Sequence, residues 1–230
     1  MTNIQKLLDL SDQLDQSGLL KESEVIEDFV DNLTKTASKG VHKCGLKEET
    51  VEQHMELLKG YEKAISHFKS EYKRALQSNN EKDSPNYGKL REIADSYPHN
   101  CNSVNFHNMY IEDVITNNPY AIEKESQMND LLKDYYGGDY NKLANEIKRA
   151  AQVSRNGWVL LSFCVITKEL FINVIDLHDQ KVDAFSIPVL ALDMWEHAYI
   201  HDFGIDREAY VEWFLGRIDW RNPRKRIRNL

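Results

Sequence analysis

The 230-residue chain has few cysteines, no long apolar run and no excess of positive charge. Its three cysteines, Cys44, Cys101 and Cys164, are odd in number, widely scattered and form no CxxC pair. That excludes a disulfide scaffold and a zinc finger, and suits a reducing cytoplasm. No stretch approaches the roughly 18 to 20 apolar residues of a membrane span, so no membrane partner is expected. Met1-Thr2-Asn3-Ile4 lacks a basic segment followed by an apolar core, so no secretory signal is expected either. A formal net charge of -8 argues against general binding to nucleic acid. There is no internal repeat and no low-complexity stretch. What is present is ordinary for a soluble globular protein: 41% hydrophobic and 29% charged residues, enough for one large domain or two small ones.

Residues 3 to 33 carry two apolar stripes at helical spacing, Leu7, Leu8, Leu10 and Leu14, then Val25, Ile26, Phe29, Val30 and Leu33. Ser17-Gly18 interrupts them, which predicts a helical hairpin, followed by a polar linker to Lys43. A long helix is expected from about Thr50 to Leu76 through Leu57, Leu58, Tyr61, Ile65, Phe68 and Tyr72. After a polar loop from Ser78 to Gly88, a second is expected from Ser103 to Thr116, with His107 near its start; the two form an αα-hairpin. Asn117-Asn118-Pro119 reads as a hinge. Helices over about Ser126 to Tyr135 and Tyr140 to Gln152 follow, separated by Gly137-Gly138. The period then becomes extended. Trp158–Phe163, Leu170–Ile175 and Ile187–Leu192 read as three short strands of a small antiparallel sheet. The fold class is therefore α+β. The expected units are an N-terminal helical extension (1–40), a helical-hairpin subdomain (41–118) and a C-terminal subdomain with a three-stranded sheet flanked by helices (119–230).

The densest chemistry lies in Leu192-Asp193-Met194-Trp195-Glu196-His197-Ala198-Tyr199. Asp193 and His197 are four residues apart, so on a helix, or a turn running into one, both side chains share a face. A carboxylate and an imidazole converging in this way make half of a metal site without thiolates. Taken alone, the same spacing also describes a helix start, with Asp193 as N-cap and His197 half-buried. The eight-residue stretch, followed by His201-Asp202-Phe203-Gly204-Ile205-Asp206-Arg207-Glu208-Ala209-Tyr210, Trp213-Phe214 and Ile218-Asp219-Trp220, resembles the iron/manganese superoxide dismutase family over about residues 44 to 224. In that family an Asp-x-Trp-Glu-His-Ala-Tyr segment supplies two of four metal ligands.

The resemblance implies the remaining ligands. Thr50-Val51-Glu52-Gln53-His54 matches the family's first-helix pattern with Val for Leu, and His107-Asn108-Met109-Tyr110 fits the second. Asp193, His197, His54 and His107 would then hold one iron or manganese ion per subunit. Three neutral imidazoles and one carboxylate suit a metal that cycles between two valences, which zinc cannot do. The substrate implied is superoxide, converted to oxygen and hydrogen peroxide. His178 falls where the family places a residue that bonds metal-bound solvent. Tyr61 is the candidate gateway tyrosine, although it lies seven residues after His54, where the family has eight. Trp158 and Trp195 match the aromatic walls. Leu160 and Ile111 stand where relatives have tryptophans. Glu196 matches a glutamate that reaches across a dimer interface, which implies a homodimer or homotetramer. The family's gateway histidine is absent around Leu57 and Leu58, and Ile200 replaces its partner tyrosine. The negative net charge repels superoxide at long range, so attraction requires a local basic funnel. The dense patch Arg221, Arg224, Lys225, Arg226 and Arg228 reads as a solvated tail.

Two other readings stay open on sequence. Histidine and carboxylate ligands also serve other non-haem iron oxidoreductases, which use two histidines and one carboxylate. The fold could also persist as an interaction or scaffold module with lost or altered activity, in keeping with the missing gateway residues.

Overall fold

Two long antiparallel helices, α1 (Glu48–Gln77) and α2 (Lys89–Tyr110), pack along their lengths and carry one half of the molecule. The computed structural model describes residues 41–77, 88–116, 118–121, 126–178 and 183–228, with Leu10, Gln13, Leu14 and Ser17. Of the expected N-terminal hairpin, Leu10, Gln13 and Leu14 are helical and Ser17 lies in a turn; the remainder falls outside the described residues. α1 begins where Asp202, far away in sequence, accepts from the Lys47 amide at 2.8 Å and from the Thr50 hydroxyl at 2.5 Å. A borrowed carboxylate thus satisfies donors that the helix start leaves open.

The second hairpin helix differs from expectation. It starts at Lys89 rather than Ser103, so His107 lies in its last turn and not near its start. The segment Asp95-Ser96-Tyr97-Pro98-His99-Asn100 reads as a loop because it is polar and holds a proline. Packing against α1 overrides that weak local preference, and Pro98 costs one helical hydrogen bond inside the helix. Beyond Tyr110 the helix widens into a π-helical turn, Ile111–Thr116, whose Ile111, Asp113, Val114 and Ile115 are buried.

Helices α3 (Ser126–Tyr136) and α4 (Tyr140–Val153) lead into the sheet. α4 is capped by Asp139, whose side chain accepts from the Asn141 amide at 2.9 Å. Strands β1 (Trp158–Cys164), β2 (Leu170–Ile175) and β3 (Ser186–Asp193) form an antiparallel sheet in the order β2-β1-β3. β1 is central and buried from Trp158 to Phe163, as a strand covered on both faces must be. The β1–β3 register slips between Leu161 and Ser162, opposite Pro188, which has no N–H to give to the ladder. Gly157, just before β1, has φ +134°, and a Cβ there would lie 2.1 Å from the Ile175 carbonyl oxygen. Only glycine fits where the chain enters between the ends of β2 and β3.

After β3 come a 3₁₀ turn (Glu196–Ala198), α5 (Ile200–Phe203), α6 (Arg207–Arg217) and α7 (Arg221–Arg228). α7 corrects the reading of the C-terminal basic run as a solvated tail. Arg226 Nη1 donates to both Asp113 carboxylate oxygens at 2.9 and 2.8 Å and to the Val189 carbonyl at 2.8 Å, while its Nη2 reaches Glu112 at 2.8 Å. Arg221 is buried against Asp219 at 2.9 Å. Arg226 thus fastens the last helix to the π turn and to β3, while Arg221 closes on its near neighbour Asp219. Among the described residues, no helix is long and apolar enough to cross a membrane.

Candidate metal centre

The β1–β3 register sets Trp158 directly beside Asp193, the last residue of β3. Asp193 is fully buried. Its Oδ1 accepts from the Trp195 amide at 2.8 Å, which turns the chain out of the strand and into the 3₁₀ turn that carries His197. Asp193 and His197 therefore meet across a strand end and a turn rather than along a helix. The main-chain carbonyl of Asp193 accepts from the Tyr210 hydroxyl at 2.6 Å.

Three imidazole nitrogens face the other carboxylate oxygen, Oδ2 of Asp193. His197 Nε2 lies at 3.1 Å, His54 Nε2 at 3.6 Å and His107 Nε2 at 4.0 Å. His54 comes from α1 and His107 from α2, so four elements converge on one point. His54 Nδ1 bonds the Thr50 carbonyl at 2.9 Å, and His107 Nδ1 bonds the Ser103 carbonyl at 2.7 Å. A carbonyl can only accept, so each Nδ1 carries the proton and each neutral ring turns a bare lone pair inward at Nε2. Both Nε2 atoms are buried with no hydrogen-bond partner. Buried polar atoms are rarely left so, and a pair aimed at one carboxylate fits a cation. His54, Asp193 and His197 can present one donor atom each within 4.8 Å of one another, which is metal-ligand spacing.

The electrostatics agree with the geometry. Burial pushes the His107 imidazole below its ordinary value against the pull of Asp193, which favours the neutral, ligating form. Burial works to raise the Asp193 carboxyl, but the facing His197, His54 and His107 outweigh it and hold it well below the usual carboxylate range. Asp193 in turn holds the His197 imidazole up toward its protonated form against burial, so a cation binding here would displace that proton, and with no thiolate in the group the donors suit a hard or borderline ion.

Aromatic rings wall the group. Tyr110 stacks on His54 at 4.9 Å between centroids, and its hydroxyl lies 3.2 Å from that of Tyr210. Trp158 meets His107 edge to face at 5.0 Å. Tyr61 reaches the site despite its altered spacing, with its ring 5.4 Å from His107 and 5.7 Å from His178. Burial, and then Asp193, push the Tyr61 phenol up, so it stays a protonated donor. His178 is buried, accepts from the Trp158 indole N–H at 2.9 Å through Nδ1, and lies 5.9 Å from the stacked Trp195 ring. Glu196 is exposed beside His197. The sequence reading did not single out Tyr210, Thr50 or Asp202 as supports of the site. Thr50 stood only within the His54 pattern, and Asp202 and Tyr210 only within the C-terminal run, and neither pattern says what a hydroxyl or carboxylate will touch.

A cavity of about 710 Å³ opens between α1 and α2, lined by Gln53, Glu56, Leu57, Gly60, Tyr61, Asn100 and His197. It carries the Glu56 carboxylate and no lysine or arginine, so the basic funnel that steering of an anion requires is not built from these residues.

The C-terminal-domain model of the iron/manganese superoxide dismutases matches residues 124–226. A superoxide dismutase [Mn] of Haloarcula marismortui is 30% identical over 139 residues, covering 60% of this chain and 66% of that protein. A superoxide dismutase [Mn] of Haloferax volcanii is 39% identical over 89 residues, covering 39% and 44%. A superoxide dismutase [Fe] of Aquifex pyrophilus is 28% identical over 195 residues, covering 79% and 89%. The chain thus spans less than two thirds of the length of the two manganese relatives and most of the iron one.

Proposed function

The chain belongs to the iron/manganese superoxide dismutase family, and from that premise we propose that it is a superoxide dismutase that holds one iron or manganese ion on His54, His107, Asp193 and His197. The observation that carries this reading is the pair of bare, buried Nε2 atoms of His54 and His107 turned toward Asp193. When bound, iron or manganese supplies a centre that takes an electron from one superoxide, releasing oxygen, and returns it to a second, which with two protons becomes hydrogen peroxide.

The chain's own residues bind, orient and protonate. Thr50 and Ser103 fix the ring tautomers of His54 and His107. Trp158 and Trp195 exclude bulk water from the ligand side. The Trp158 indole donates to Nδ1 of His178 and so fixes that ring beside His107, where it would orient solvent at a bound ion. The Tyr61 phenol stands at the inner end of the cavity as a protonated donor. Residues 41–118 and 119–230 act as two halves, each giving two ligands. The active form is a homodimer, in which Glu196 of one copy approaches the partner's His197. Exposure of Glu196 next to a quarter-exposed His197 side chain supports this. Dismutation gives the protein an antioxidant role, and three unpaired thiols support a cytoplasmic place for it.

The test is metal analysis coupled to superoxide decay on one preparation. Stoichiometric iron or manganese with decay far above free-metal controls is expected. Stoichiometric metal without decay rejects the proposal.

A further inference from the structure

β2 is an outer strand of the sheet, whose order is β2-β1-β3. Which way its backbone groups point follows from the hairpin that precedes it. The Cys164 amide donates to the Glu169 carbonyl at 2.9 Å, so the backbone of Glu169 faces β1. Backbone direction alternates along a strand, and the β1–β2 register is unbroken from Phe163 against Leu170 to Trp158 against Ile175. Phe171, Asn173 and Ile175 therefore bond to β1, whereas the N–H and C=O groups of Leu170, Ile172 and Val174 point off the edge. Among the described residues, no hydrogen bond reaches those outward groups. Edge strands are normally guarded by proline, charge or a bulge. Leu170–Ile175 has none of these, being apolar throughout except for Asn173. Phe171, Ile172, Asn173 and Val174 all keep accessible surface.

This edge is complementary to itself. In the antiparallel register that sets Ile172 against Ile172 of a second copy, Leu170 meets Val174, and every outward N–H and C=O finds its counterpart. A slip by one residue sets outward groups against inward ones, and a slip by two leaves part of the edge unpaired. The flanks agree with the same register. Lys168 lies at one end of the strand and Asp176 at the other, so a two-fold axis through Ile172 brings cation to anion at both ends. The exposed Ile166, at the hairpin tip, comes beside the exposed Leu177. We infer that the β2 edge is a docking surface for a second copy of this chain, joined strand to strand so that two sheets become one. A two-fold contact of this kind closes on itself instead of growing into a filament. It is separate from the Glu196 contact, and with both contacts present the assembly is a tetramer. It depends on neither a bound metal nor dismutation.

The experiment uses the full chain and its variants. Val174→Pro removes an outward N–H and leaves the β1 ladder its donors. Lys168→Glu sets like charges together, and adding Asp176→Lys restores opposite ones. In sedimentation, Val174→Pro should stop at half the wild-type assembly: a dimer in place of a tetramer, or a monomer in place of a dimer where the Glu196 contact does not form. Lys168→Glu should weaken association roughly tenfold, and the charge swap should recover most of that loss. Amide hydrogen exchange reads the pairing directly and needs no variant. Raising the protein concentration should slow exchange at Leu170, Ile172 and Val174 on the order of tenfold or more, while the β1-bonded amides of Phe171, Asn173 and Ile175 stay slow throughout. An assembly that Val174→Pro leaves unchanged overturns the proposal. So does exchange at the three outward amides that ignores concentration, the result when the edge is bare or is covered from within its own chain. Edge pairing in a protein without dismutation would leave this interface standing while the proposed function fails.

Discussion

The Tyr210 hydroxyl donates to the main-chain carbonyl of Asp193 at 2.6 Å, so α6 holds in place the end of the strand that carries the proposed carboxylate ligand. Both residues are fully buried. Tyr210→Phe leaves that carbonyl without its donor at nearly constant volume. The expected cost is about 1–3 kcal/mol of stability, with metal affinity reduced roughly 10- to 100-fold, as when a group that orients a ligand is lost. Thermal melting and metal titration check the two effects separately. Unchanged metal affinity would mean that the anchor at Asp193 is not needed to aim its carboxylate.

Metal removal should lower stability because the unfolded chain has no preformed site. At free metal a hundredfold above the dissociation constant, binding adds about 2.7 kcal/mol. For a domain of this size each kcal/mol moves Tm by roughly 2–4 °C. Stripping the protein with a chelator should therefore lower Tm by several degrees, and added manganese or iron should restore it. His107→Ala should show no such response in calorimetry.

Arg226 is the test of the C-terminal clamp. Its guanidinium bonds the buried Asp113 carboxylate through Nη1 and Glu112 through Nη2. Burial pushes the Asp113 carboxyl up to about 7 even beside Arg226, so in Arg226→Met it should take up a proton and remain buried without its donor, at an expected cost of about 1–3 kcal/mol near neutral pH. Adding Asp113→Asn to that variant should recover part of the loss, because the amide needs neither a counter-charge nor a proton taken from solvent. Denaturant melts of the single and double variants measure it; a cost under roughly 1 kcal/mol in the single variant would place Arg226 among ordinary surface arginines.

The cysteines should differ in reactivity. Hydrogen bonds from Thr167 pull the half-exposed Cys164 thiol below its ordinary value, whereas burial pushes Cys44 up. A lower value means more thiolate at a given pH, and thiolate is the reactive form. Limited alkylation with iodoacetamide near neutral pH, mapped by mass spectrometry, should label Cys164 first and Cys44 last. As pH rises the gap should narrow. Early labelling of Cys44 in folded protein contradicts its buried position.

The sequence by itself determined the type and order of most elements, because their periods are written in local residue pattern: three extended runs, capped helices and glycine breaks. It also determined which side chains were worth watching, since Asp193, Trp195, Glu196 and His197 form one contiguous motif and His54 and His107 precede it in order. Only the tertiary structure decided the extent of α2, where packing against α1 carries a polar, proline-containing segment that local preference reads as loop. It alone made Arg226 an interior clamp, because its acidic partner Asp113 comes to it through the fold from 113 positions away. The same holds for the site. A spacing of four residues brings Asp193 near His197, but the meeting of His54 Nε2 with Asp193, 139 positions later in the chain, depends on where α1 docks. That docking is set by the Asp202 grip on Thr50 and by the ring of Tyr110 stacked on His54. Local pattern follows from nearest-neighbour backbone preference, whereas convergence of distant donors follows from burial and long-range hydrogen bonds, which no short window of residues contains.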